Sequence, residues 1–136
     1  MVFEAVQILT PEVCAAKWLK IWNTANSHLL ATSSTYDDQL EHSLSRASVD
    51  DLLVFLKIVM SKKLYSHTAS DLGAGIVESF LRNHPRELEA FKKLEEESPQ
   101  FMEVIAGVWV SEEMTAEVQE FLVWAHEVYD LRQTHL

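Results

Sequence analysis

Residues 48–85, SVDDLLVFLKIVMSKKLYSHTASDLGAGIVESFLRNHP, carry two helix starts and one helix stop, and their reading decides the fold class. Ser48 with Asp51 three residues on has the form of a capping box, Asp standing for the usual Glu. The hydroxyl would take an N–H that the first helical turn leaves without a partner. Leu52, Leu56, Val59, Met60 and Leu64 then recur at helical spacing, and Lys62 and Lys63 suit the negative end of the helix dipole. Thr68 and Asp71 repeat the start signal, followed by Leu72, Ile76 and Phe80 with Val77 and Leu81 at the flanks. The stop is His84-Pro85, because the residue before a proline avoids helical backbone angles. Two capped helices in succession suggest a helical hairpin.

The same signals recur on both sides of this stretch. Upstream, Thr10-Pro11-Glu12 combines an N-cap, a proline at the first helical position and an acid in the first turn. Cys14, Trp18, Ile21, Trp22, Ala25 and Leu29 fall on one face behind it, so the spacing predicts a helix to about Ala31. A short helix over 36–47 rests on the Leu40/Leu44 pair. Downstream, His84 stands as the cap of a helix that Pro85 opens, with Leu88, Phe91 and Leu94 inward and Glu89 and Lys93 as an i, i+4 ion pair. Ser98-Pro99 opens another, with Phe101, Met102, Ile105 and Trp109 inward. The apolar run 104–110 also fits a short strand by pattern, and the proline start favours helix. From Thr115 to Gln133 a last helix carries Val118, Phe121, Leu122, Ala125 and Tyr129, its stripe widened by Met114, Trp124, Val128 and Leu131.

The chain has 136 residues with three Gly and three Pro, too few for turn-rich β architecture. The expected fold is all-α, six to seven helices packed as antiparallel helical hairpins, in a bundle or a short α-solenoid-like stack. With no linker or low-complexity segment, residues 1–136 read as a single helical domain.

Twenty-one acids against eleven Lys and Arg give a net charge of −10. Such a chain has no clustered bases to release counterions from a phosphate backbone, so no nucleic-acid partner is expected. The longest apolar run, 52–60, is short and holds Lys57, so no membrane span is expected either. The start lacks the pattern of a signal peptide, and one cysteine forms no internal disulfide; both suit a cytoplasmic protein. The acidity is uneven. Residues 85–120 hold ten acids and three bases, whereas residues 1–84 hold nine acids and seven bases.

Chemistry-bearing motifs are sparse. Gly73-Ala74-Gly75 has Glu78 where a phosphate loop has its third glycine, and no strand precedes it, so the glycines read as places where another helix approaches closely. None of the six histidines forms a zinc-type i, i+4 pair with an intervening Glu; His126 and Asp130 come nearest by sharing a helix face. Cys14 sits on an apolar face, where it is inert. Asp50, Asp51, Asp71 and Glu78 are the carboxylates that paired acid–base work would draw on, two of them already used at helix starts. No cofactor motif is present.

Residues 72–114 resemble a bacterial family of small all-helical domains of unknown function. The pattern runs through Gly73, Gly75, Glu78, Leu81 and His84, then an acid-rich helix, then Pro99, Phe101, Gly107, Val108, Trp109 and Met114. Trp18 and Trp22 match the family's tryptophan-bearing first helix. Phe80 departs from an aliphatic position, and the middle segment is longer. The resemblance implies helical hairpins and brings no catalytic residues; Glu78 and His84 are the polar positions it singles out.

The function this supports is a non-catalytic protein-binding module, of the immunity or antitoxin kind, that masks a basic partner with Glu95, Glu96, Glu97, Glu112 and Glu113. The alternatives are a homo-oligomeric structural subunit, with a homodimer joined through the Trp-rich first and last helices, and an enzyme or metal-binding domain built around Glu78 and His84.

Overall fold

Thr10 caps the first helix as its position requires: its hydroxyl accepts the Val13 N–H at 3.3 Å, and Pro11 occupies the first turn. The computed structural model describes residues 8–24 and 38–134, and every regular element among them is helical. Helix α1 spans Pro11–Trp22, α2 Asp38–Ser45 and α3 Val49–Met60. Next come α4, Ser66–Leu72, a π-helical turn, Gly73–Val77, and α5, Glu78–Asn83. A 3₁₀ turn, Pro85–Glu87, leads into α6, Leu88–Glu97, and α7, Phe101–Ala106, precedes α8, Ala116–Thr134. Since 66–83 runs without a break, these are seven helices, within the six to seven expected. Helix α1 stops at Trp22, where Asn23 leaves the helical backbone angles as C-cap, short of the end predicted near Ala31; Ala25 and Leu29 lie outside the described residues, as does the start of the predicted helix 36–47.

The chain forms two compact units, Met1–Lys63 and Leu64–Leu136. In the first, α1 packs mainly on α3 and also on α2. Trp18, 4% exposed, sets its ring edge-on to Phe55 with centroids 6.3 Å apart, a geometry that adds about 0.5–1.5 kcal/mol to the burial of the two rings. Leu52, Leu56, Val59 and Met60 are buried as their spacing predicts, and Ser48 caps α3 by accepting the Asp51 N–H at 3.1 Å. Cys14 is buried on the same side as Trp18. Ser43, also buried, accepts the Leu9 N–H at 2.8 Å through its hydroxyl, so its polar atom is satisfied.

In the second unit α7 is the central element, packed against α4, the π turn and α8. Gly73 and Gly107 face each other across this crossing. A Cβ at Gly73 would overlap the Val104 carbonyl oxygen, and one at Gly107 would lie 2.8 Å from the Ser70 carbonyl oxygen, so backbone meets backbone there. Gly75 has nothing within 4 Å of an added Cβ and serves no such approach, contrary to the expectation for it. The π turn also changes which residues point inward. Leu72, Val77 and Leu81 are fully buried while Ile76 is only half-buried, because a wider turn moves the inward position from i+4 to i+5.

Other local expectations shift for physical reasons. The helix expected to start at Thr68 begins at Ser66, and Thr68 is buried inside its first turns. His84 caps neither neighbouring helix through its side chain; its ring packs on Phe80, centroids 5.0 Å apart. Glu89 pairs with Lys92 at 3.3 Å in place of Lys93. Helix α7 ends at Ala106, so 104–110 contains no strand, and Trp109, expected inward, is 77% exposed.

Candidate functional site

The 3₁₀ turn opened by Pro85 and the acid-rich helix α6 that follows it together form one wall of a groove. Pro85, Arg86, Leu88, Glu89, Lys92, Glu95 and Glu96 supply this wall. Helix α8 supplies the other with Glu117, Glu120, Phe121 and Trp124, which recur at i, i+3, i+4 and i+7 and therefore share one face. The space between them is about 660 Å³. Of its lining, Phe121 and Leu88 are buried, and Trp124 is 46% exposed with its ring stacked on Phe121, centroids 6.0 Å apart at 28°.

Five carboxylates and two cations line this groove. Lys92 is held by Glu89 at 3.3 Å. Among the described residues no cation pairs with Glu95, Glu96, Glu117 or Glu120, and their potentials add in a concave space. Carboxylates beside an aromatic face bind cations, by Coulomb attraction and through the ring's negative face.

The remaining acids singled out by sequence are placed elsewhere. Glu97 ends α6 in solvent and does not line the groove. Glu112 and Glu113 belong to the loop after α7, which is tied down at several points. The Val108 carbonyl accepts from His126 Nε2 at 2.9 Å, the Trp109 N–H donates to Glu78 Oε1 at 3.2 Å, and Gln119 Nε2 donates to the Ser111 carbonyl at 2.8 Å. Arg82 joins the tie, with Glu78 Oε2 at 3.3 Å and Glu113 Oε2 at 3.6 Å. Glu78 is thus a structural acceptor for this loop, and no hydrogen bond or ion pair joins it to His84, whose contact is Phe80.

Among the described residues no three of His, Cys, Asp and Glu are grouped to hold a metal ion, and the side chain of His126 is used by Val108. No helix among them is long and apolar enough to cross a membrane. Tyr129 has its phenol pKa raised above 10.0, by burial first and then by the carboxylates of Glu103 and Asp130.

Sequence reasoning missed Glu89, Glu117, Glu120 and Trp124 as parts of one site. The spacing 117, 120, 124 was the available signal, a face with acids at one end and an indole at the other. By pattern Trp124 belongs to the widened core stripe, and nothing local says which edge of a broad stripe stays in solvent. Compared with family models, curated proteins and solved structures, the chain matches none.

Proposed function

We propose that this chain is a non-catalytic binding module that takes a basic segment of a partner protein into the groove between α6 and α8. The observation that carries the reading is that Glu95, Glu96, Glu117 and Glu120, which pair with no cation among the described residues, line one concavity together with the exposed indole of Trp124. Complementary charge of this kind speeds encounter and rejects acidic partners, and a half-buried aromatic supplies the anchor that charge alone lacks. Glu95 and Glu96 keep the contact role given to them, joined by Glu117 and Glu120. Masking a basic surface, as an immunity or antitoxin protein does, is one use of such a groove, and a cytoplasmic setting belongs to the same proposal. The likeness of 72–114 to small helical bacterial domains of unknown function is part of it too, and lends it no catalytic residue.

The test is affinity capture by the tagged chain from lysate of its own source cells, beside the variant E95K/E96K/E117K. The expected result is a stoichiometric basic protein retained by the native chain at low salt, shed as salt rises, and not retained by the variant. Equal retention by both chains overturns the groove as the binding site.

A further inference from the structure

We propose that the groove prefers arginine to lysine on the partner segment, with Trp124 as the residue that makes the distinction; this rests on the reading of the groove as a site for a basic partner. The charge of the groove does not discriminate between the two side chains. The indole does. Trp124 stacks its ring on Phe121, lines the groove and keeps 46% of its surface in solvent, so part of the indole is open to a ligand there. Glu120 lies one helical turn before Trp124 and Glu117 nearly one turn before that, on the same face of α8.

A guanidinium is planar, weakly hydrated and able to lie flat on an indole while its edge N–H groups meet a carboxylate. An ammonium is a compact, strongly hydrated charge that gains little from the ring without losing its water. The arrangement of carboxylate, then indole, along one helix face therefore offers arginine two contacts at once and lysine mainly one. The groove's own guanidinium, Arg86, does not fill this place, since it makes no ion pair with these carboxylates and no ring contact with Trp124.

The experiment uses the full chain and two end-blocked fluorescent peptides, hexa-arginine and hexalysine, with binding read by anisotropy at low salt. The native chain is expected to bind hexa-arginine about fivefold more tightly. Trp124→Leu, which keeps an apolar side chain at a half-exposed position, is expected to reduce the ratio to about one, and E117Q/E120Q to weaken both peptides. Circular dichroism of each variant reports whether the helices are retained. Tight binding of both peptides with equal affinity, or an arginine preference that survives Trp124→Leu, overturns the arginine assignment and leaves the basic-partner reading standing. Binding of neither peptide overturns both.

Discussion

At Gly73 an added methyl would run into the Val104 carbonyl, and at Gly107 it would lie 2.9 Å from the Ser70 Cα; these are backbone atoms that move only if a helix moves. Gly73→Ala and Gly107→Ala are each expected to cost about 1–3 kcal/mol, the range for forcing atoms into a packed contact. Gly75→Ala meets nothing and replaces the poorest non-proline helix former by the best, so it is expected to gain up to about 1 kcal/mol. Urea denaturation of the three variants checks this, and equal effects at 73 and 75 would refute the crossing. The double variant G73A/G107A should cost less than the two singles together, since one displacement of α7 relieves both clashes. In the sequence Gly73 and Gly75 look alike because glycine in a helix is one signal with several causes. Only the path of α7 tells the two apart.

The elements that were legible are those written by local chemistry. Thr10 and Ser48 cap α1 and α3 because the cap needs only a hydroxyl and an N–H three residues away. The π turn was not legible, since it accompanies the approach of a helix thirty residues further on. Nor was the end of α7, because a helical period says which face is apolar and not where along the chain the helix stops. The acids of the groove were visible as a charged stretch, but their division between α6 with α8 and the loop at 107–115 depends on tertiary folding. That loop gives a prediction at this scale. Glu78, the residue directly after the π segment, accepts the Trp109 N–H, so Glu78→Ala is expected to speed amide exchange at Trp109 roughly tenfold, the equivalent of the about 1.5 kcal/mol contributed by a hydrogen bond to a charged group. Exchange at Val118, within α8, should change far less. Unaltered exchange at Trp109 would mean that the ties through His126 and Gln119 hold the loop without Glu78.

Across the whole molecule, charge divides unevenly between the two units. The unit from Leu64 onward has fourteen acids and five Lys or Arg, a balance of −9, while the unit before it has seven acids and six bases, a balance of −1. Carboxylates gathered in one groove repel one another, and a folded chain that keeps them there forgoes some stability for what they bind. Two properties should therefore move in opposite directions when they are neutralised. E95Q/E120Q keeps the size and polarity of both side chains and removes two charges, neither of them in the first turn of a helix where the dipole favours an acid. It is expected to raise the melting temperature by about 2–4 °C at low ionic strength, the equivalent of about 1 kcal/mol, and by less near 0.15 M salt, where the Debye length has fallen to about 8 Å. The same variant is expected to retain less of the basic partner at low salt. If the glutamates served only to keep a helical surface soluble, the exchange would leave stability within about ±0.5 kcal/mol and capture unchanged. Thermal melts at two salt concentrations, run beside the capture, separate the two accounts: stability must rise while binding falls, and a variant that loses or gains both removes the groove from the function.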